Sequence, residues 1–393
     1  MNNADRWLLP DGMSEVLPPE ARQIENLRRQ LLDLFHSWGY ELVLPPKVEF
    51  LESLLVGAGH DLGLQTFKLT DQLSGRLMGV SADVTPQVAR MDAHSMRSQG
   101  AARFCYSAEI LRTKPDNLLS SRSPIQIGAE LFGVNGLDSD LEIISLMLDS
   151  LLLAGAKNLC LDLGHVAIYR ALLEQANLTT ADEIQLFSLL QQKRLPELTN
   201  FLQQWQDDPA MQLIQELATL NGGAAVIQQA QQVLATAPQA VQTALDELSG
   251  LVTALSTNYP QLNIYLDLSE LRGFHYHTGV VFAAYVPHLG QALAKGGRYD
   301  EIGKVFGRAR PATGFSTDLK MLALLQPPAQ AQTPVAVATD LLHDPAALEA
   351  IQNLRAKGVR LVFCNMHNPV PENLTQQLIY KDKAWVISDL TAR

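Results

Sequence analysis

Asp83 and Thr85 stand two apart in SADVTPQVAR, a spacing that puts both side chains on one face of an extended segment. An acid and a hydroxyl meeting there can accept from, and donate to, one small ligand. A second group comes from CYSAEILR and IQIGAE, which supply Glu109, Arg112, Gln126 and Glu130. Gln126 and Glu130 are four apart and share a face in a strand. A third is LRGFHYHTG, with Arg272, His275, Tyr276 and His277 in one turn-bounded segment. Acids bind an ammonium or an imidazole N–H, Arg272 can clamp a carboxylate, and Gln126 offers both a donor and an acceptor. With Tyr276 as a flat wall, these are the groups needed to hold a free, polar amino acid. Singly, each has a plainer role. Asp83 and Thr85 fit a cap before Pro86, Glu130 fits a surface pair with Arg, and His275 and His277 fit two exposed strand positions.

Other chemistries find no support. The His-x-His pair lacks a third ligand at a recognisable spacing, so neither a metal nor another cofactor is expected. No Ser-His-Asp elbow, Walker loop or dinucleotide fingerprint is present. The paired glycines of AKGGRYD fit a phosphate loop or, equally, a tight turn that lets backbone approach another element. Three cysteines, Cys105, Cys160 and Cys364, are too few and too scattered for a disulfide framework. They point to a reducing cytoplasm. The chain of 393 residues carries a formal charge of −11, which disfavours a surface gripping nucleic acid throughout. Its 47% hydrophobic and 18% charged content is that of a globular protein. No apolar run reaches the ~18 residues of a membrane span, and the first residues do not read as a signal peptide.

The elements that must position these groups follow from periodicity. Ile24, Leu27, Leu31, Phe35 and Trp38 recur every three or four positions, predicting an amphipathic helix over 18–38 that stops at Gly39. A short strand over 40–44 ends at Pro45 and Pro46, as an edge strand would. From Phe67 to Phe132 the text reads as strands and turns of an antiparallel sheet. A helix opens near Asp138 and closes at Gly155. Residues 165–257, rich in Ala, Leu and Gln, read as an inserted helical region. Strands return near 264–268 and 280–286, and PATGFSTDLKMLALL reads as a turn leading into a helix. QPPAQAQTP, 326–334, is a linker. Beyond it, 335–393 forms a small α/β unit. The fold class expected is α+β, with a body over 1–325.

Over about residues 5–325 the sequence resembles the class II aminoacyl-tRNA synthetases. The opening helix with its proline-ended strand resembles motif one, the dimer-forming element. ILR with the following loop and QIGAE resembles motif two, and PATGFSTDLKML resembles motif three. LRGFHYHTG is similar to the histidine signature of histidyl-tRNA synthetases, Arg-Gly-Leu-Asp-Tyr-Tyr. That resemblance implies a class II antiparallel sheet flanked by helices. It implies that Asp83 and Thr85 hold an α-amino group, that Gln126, Glu130 and Arg112 are motif-two contacts, and that Arg272 faces the carboxylate. Tyr276 keeps one signature tyrosine, whereas His277 replaces the one that contacts imidazole.

The departures fall on the ATP side. The motif-three ending Gly-Leu-Glu-Arg reads Asp318-Leu319-Lys320-Met321, and the motif-two pairs read Arg112-Thr113-Lys114 and Arg122-Ser123-Pro124. Adenylation depends on such positioned charges. A synthetase body with these changes is similar to the regulatory-subunit family of ATP phosphoribosyltransferase, with ADVTPQVAR, IGAELFG, GHVAIYRALL and GGRYDEI carrying the likeness. Membership implies a non-catalytic subunit that activates a short-form catalytic partner in histidine biosynthesis. It also implies a homodimer core within a hetero-octamer, histidine as effector, and no tRNA or membrane partner. The alternatives are an active histidyl-tRNA synthetase, revealed by histidine-dependent pyrophosphate exchange, and a stand-alone histidine sensor, revealed by the absence of a co-purifying transferase.

Overall fold

The computed structural model describes residues 7–55, 60–115, 120–328, 333–365, 371 and 373–390. It divides into two compact units, Met1–Pro327 and Pro328–Arg393. The linker read over 326–334 lies partly outside the described residues.

The strands of the first unit, in chain order, are β1 (Glu41–Leu42), β2 (Val48–Phe50), β3 (Lys68–Thr70), β4 (Leu77–Val80), β5 (Ala102–Glu109) and β6 (Ile125–Phe132). They continue with β7 (Cys160–His165), β8 (Asn221–Gly222), β9 (Asn263–Asp267), β10 (Val280–Tyr285), β11 (Ala294–Arg298) and β12 (Ala312–Asp318). Nine of them form one sheet in the order β1-β5-β6-β12-β11-β10-β7-β9-β8, while β2, β4 and β3 make a small sheet beside it. The central pairs are antiparallel, as expected, but β1 with β5 and β7 with β9 run parallel.

The alternation of β6 decides which face does what. Ile127, Ala129 and Leu131 point into the main core, so Gln126, Gly128 and Glu130 face the other way. The core face is covered by Glu20–Ser37 and Leu137–Leu153. In the first of these helices Ile24, Leu27, Leu31 and Phe35 are buried. Its end is a Schellman motif: Gly39 (φ +83°) donates to His36 O at 2.9 Å and Tyr40 N to Phe35 O at 3.0 Å. Residues 166–258 are predominantly helical, interrupted by the two-residue β8.

Three local expectations need correction. Asp83 and Thr85 are not in a strand; β4 ends at Val80, Asp83 lies in the following turn, and Thr85 opens the helix Thr85–Arg90 with Pro86 in its first turn. Proline lacks the ladder donor a strand requires but suits a helix start. AKGGRYD is no turn: it forms β11 between β10 and β12. PATGFSTD is likewise a strand, β12, ending where Asp318 caps the short helix Leu319–Ala323 by accepting from Lys320 N at 3.0 Å.

The second unit is a four-stranded sheet in the order β14-β13-β15-β16, with β13 (Val335–Ala338), β14 (Leu361–Cys364), β15 (Gln376–Lys381) and β16 (Ala384–Asp389). The helix Pro345–Ala356 connects β13 to parallel β14 and packs Ala347 and Ile351 against Val335, Val337 and Leu378. β15, which sequence pattern did not reveal, pairs with β16 through a turn whose Asp382 and Lys383 both have positive φ, as a two-residue hairpin of the mirror-image type requires.

Candidate functional site

The sheet face opposite the core carries the chemistry. Gly314 lies opposite Glu130 and Asp318 opposite Gln126, while Tyr106 on β5 lies opposite Gly128. A Cβ on Gly314 would come within 1.6 Å of Glu130 Oε2, so this glycine leaves the room in which the carboxylate lies across the strand.

Glu130 is the centre of a hydroxyl cluster. Its Oε1 accepts from Thr85 Oγ1 at 2.9 Å and from Tyr106 Oη at 3.1 Å, and its Oε2 accepts from Tyr299 Oη. Burial, reinforced by the charge of Asp83, pushes its carboxyl up to about 8 against the opposing effect of these hydroxyls. Gln126 locks the adjoining turn: its Nε2 donates to Asp83 Oδ1 at 2.8 Å, and its Oε1 accepts from Val84 N at 2.9 Å. Thr85 N also donates to Asp83 Oδ1, at 3.1 Å. Tyr276 stacks on Tyr299 with ring centroids 5.1 Å apart. Its Oη is buried with no hydrogen-bond partner among the described residues.

His277 sits edge-on to Tyr276, with Nδ1 3.3 Å from the Arg298 carbonyl. That contact fits a ring protonated at Nδ1, and burial pulls its pKa down to about 4, so the imidazole is neutral. Gly297 makes space for it: a Cβ there would meet His277 Nδ1 at 2.8 Å.

Asp83, Thr85, Gln126, Glu130 and Tyr276 thus gather at one place, with His277 packed beside Tyr276. Arg112 and Arg272 are brought elsewhere: with Gln126, Lys295, Asp318, Lys320 and Met321 they line an adjacent cavity of about 820 Å³. Arg272 has partners of its own. It bonds Asp162 Oδ2 at 2.6 Å and Glu270 Oε2 at 2.8 Å, and also donates to Tyr285 Oη. Desolvation works against its charge, but Glu270 and Asp162 more than compensate and hold it firmly protonated. Arg112 Nε donates to Ala82 O at 3.3 Å. Glu109 is exposed and pairs with Lys47, away from the cluster. Among the described residues no group of His, Cys, Asp and Glu is arranged to hold a metal ion.

Sequence reasoning missed Tyr106, Tyr299 and Gly314, which build the Glu130 environment, and Asp162, Glu270 and Tyr285, which hold Arg272. Two-residue alternation along β5 and β6 gives each strand a face, but only the register puts Tyr106 beside Glu130.

At the motif-three corner, Lys320 Nζ donates to Ser123 O at 2.6 Å, and Met321 packs against the core with its sulfur 3.0 Å from Gln291 Nε2.

The Histidyl-tRNA synthetase family model matches residues 12–322. An ATP phosphoribosyltransferase regulatory subunit from Thioalkalivibrio sulfidiphilus is 56% identical over 364 residues, covering 92% of each chain. One of the same name from Chromohalobacter salexigens is 52% identical over 395 residues, covering 99% of this chain and 100% of the relative. A crystal structure of an ATP phosphoribosyltransferase regulatory subunit/histidyl-tRNA synthetase from Bacillus halodurans C matches with TM-score 0.80 at 27% identity, over 93% of this chain and 94% of that one. An ATP phosphoribosyl transferase (HisG:HisZ) complex chain from Thermotoga maritima, at TM-score 0.58 and 17% identity over 78% of this chain and 98% of that one, shares the fold.

Sheet topology, site and matches define a class II, histidyl-tRNA synthetase-like α+β protein. Within that class the chain belongs to the family of ATP phosphoribosyltransferase regulatory subunits.

Proposed function

We propose that the chain is a non-catalytic subunit that assembles with a short-form ATP phosphoribosyltransferase catalytic subunit, raises its turnover and makes it sensitive to histidine. In this reading two copies form a homodimer at the core of a hetero-octamer in the cytoplasm, and tRNA is not a partner. Among the described residues, no helix is long and apolar enough to cross a membrane.

The observation that carries the reading is the buried Glu130 cluster beside an altered motif-three corner. Asp83 and Glu130 are acids, while the hydroxyls of Thr85, Tyr106 and Tyr299 and the amide of Gln126 surround them. Such a cluster offers acceptors to an ammonium and a ring N–H, both of which histidine carries. Tyr276 offers its hydroxyl, and neutral His277 closes the wall behind it. Arg112, Arg272, Lys295 and Lys320 line the adjacent cavity, and of these we assign Arg112 and Arg272 to the carboxylate. At the corner, by contrast, Met321 stands where the synthetase motif has the arginine that holds ATP phosphates, and Lys320 is bonded to a backbone carbonyl.

The test is co-purification with a short phosphoribosyltransferase, followed by turnover with and without this chain and with and without histidine. The expected result is a complex more active than the catalytic subunit alone and inhibited by histidine. Histidine-dependent pyrophosphate exchange by this chain would instead establish an active synthetase.

A further inference from the structure

The turn at residues 271–278 is gripped from two sides. On the sheet side, Thr278 N donates to Arg298 O at 2.7 Å, and Tyr276 stacks on Tyr299, which bonds Glu130. On the other side stands Arg170, in the first helix of the inserted region, Val166–Leu173. Its Nη2 donates to two carbonyls of the turn, Phe274 O at 3.1 Å and His277 O at 3.0 Å. Its guanidinium also lies 5.0 Å from the centre of the Phe274 ring. Tyr169 packs edge-on to Phe274 at 5.4 Å, and Phe187, from the helix Thr180–Gln191, reaches Phe274 at 5.5 Å and His275 at 5.3 Å.

We propose that Arg170 is a positioning residue that couples ligand binding at the Glu130 cluster to the inserted helical region through this turn. The inference rests on the reading that histidine binds at that cluster. One charged nitrogen holds two carbonyls, so a shift of the turn must either carry Arg170 along or break two charge-assisted hydrogen bonds, which are stronger than neutral ones. The turn also has something to gain by shifting. Tyr276 Oη on its pocket side and Tyr169 Oη on its helix side are both buried without a hydrogen-bond partner among the described residues, a costly arrangement. A ligand group that engages Tyr276 favours one position of the turn over another, and differential affinity of that kind is what couples two sites. Arg170 then transmits the difference to its own helix, Val166–Leu173.

The test is hydrogen–deuterium exchange on the full chain, with and without L-histidine, alongside calorimetry of L-histidine binding. In the wild type, saturating histidine should slow exchange in Val166–Leu173, the helix that carries Arg170, by about threefold or more. Arg170→Ala should bind histidine within about tenfold of wild type yet lose that slowing, and Arg170→Lys should recover part of it. Should Arg170→Ala fail to fold, Arg170→Lys and Phe187→Ala carry the comparison: Phe187→Ala leaves the guanidinium contacts in place and should keep the slowing. The proposal is overturned if this helix slows equally in Arg170→Ala, if Phe187→Ala alone abolishes the effect, or if wild type binds histidine with no change in this helix. Absence of any calorimetric binding to the wild type defeats the pocket reading itself, a failure the heat signal separates from a loss of coupling.

Discussion

Two regions on the same sheet face use their polar groups in opposite ways. Around Glu130, the side chains of Thr85, Tyr106 and Tyr299 converge on one carboxylate, and Gln126 and Asp83 lock the turn beside it. At the corner where β12 meets Leu319–Ala323, polar groups are tied back to the chain. Lys320 bonds Ser123 O, Met321 lies half-buried against the core, and Arg122 donates to Arg112 O at 3.0 Å and to Asp11 O at 2.9 Å. A ligand site needs donors and acceptors that converge on a shared point, whereas groups satisfied by local carbonyls serve the fold. Arg272 falls between the two: it lines the cavity, yet Asp162 and Glu270 already balance its charge.

The largest effect that would sharpen this contrast is on turnover. The isolated chain should show no phosphoribosyl transfer above background, whereas mixing it with the short catalytic subunit should raise that subunit's rate. Appreciable turnover by this chain alone would break the proposed division of labour.

Next in size is Gly314→Ala. The new Cβ would overlap Glu130 Oε2 and lie 2.9 Å from Ala129 O, so the carboxylate has to leave its hydroxyl partners. Histidine affinity should fall by about a hundredfold, or ~2.7 kcal/mol. Stability should fall by ~1–3 kcal/mol, the range for overpacking a filled core. Calorimetry and urea denaturation read the two losses separately, and unchanged affinity would show that the cluster does not bind the ligand.

Arg272→Ala should be milder, weakening histidine inhibition of the assembled complex about tenfold, or ~1.4 kcal/mol, while leaving assembly intact. Its removal leaves Asp162 and Glu270 without the cation they share beside the cavity, which disfavours an incoming carboxylate. If Arg272→Ala and Glu130→Ala both retain wild-type sensitivity, histidine acts elsewhere.

A smaller, purely thermodynamic signature belongs to Glu130. Burial raises its carboxyl from the ordinary 4.5 to about 8, so the folded state holds this proton more tightly than the unfolded chain does. Stability from this group is therefore full below the unfolded value and is lost as pH rises through the folded one. Glu130→Gln cannot titrate, so urea midpoints measured between about pH 5 and about pH 9 should fall less steeply in this variant than in wild type. Parallel profiles would mean that Glu130 is ionised across the range.

How much of this was legible beforehand depended on whether the signal was local. The helix Glu20–Ser37 was readable because its buried stripe and Gly39 stop are periodic and adjacent. Gln126 and Glu130 were readable as same-face neighbours because strand alternation is fixed at two. Asp83 and Thr85 do come together, but not by the strand alternation their spacing implies: Pro86 starts a helix and Gln126 draws the turn together. The paired glycines of AKGGRYD resembled a turn because close approach was evident but its direction was not. In β11 a Cβ on Gly296 would lie 2.2 Å from Gly314 O, a clash set by the neighbouring strand. Tyr106, Tyr299 and the acids around Arg272 depended on register between strands distant in sequence, which no local pattern encodes.

The smallest expected effect is also the sharpest attempt to erase the contrast. Lys320→Glu with Met321→Arg rewrites the motif-three corner toward the synthetase pattern, and it should yield no histidine-dependent pyrophosphate exchange above background. Lys320→Glu removes the bond from Nζ to Ser123 O and places a carboxylate near that carbonyl, where it accepts nothing. Met321→Arg must carry a guanidinium out of a side chain's place against the core, where Met321 now meets Gln291. Even with both groups in position, Thr113 and Lys114 still follow Arg112 in place of the motif-two acid, and Arg122 remains bonded to Arg112 O and Asp11 O. Catalytic charges that act as a unit are non-additive, so restoring one member of a broken set returns little. Measurable exchange by the double variant would show that the corner is two substitutions from activity, and that its polar groups are less committed to the fold than their bonds indicate.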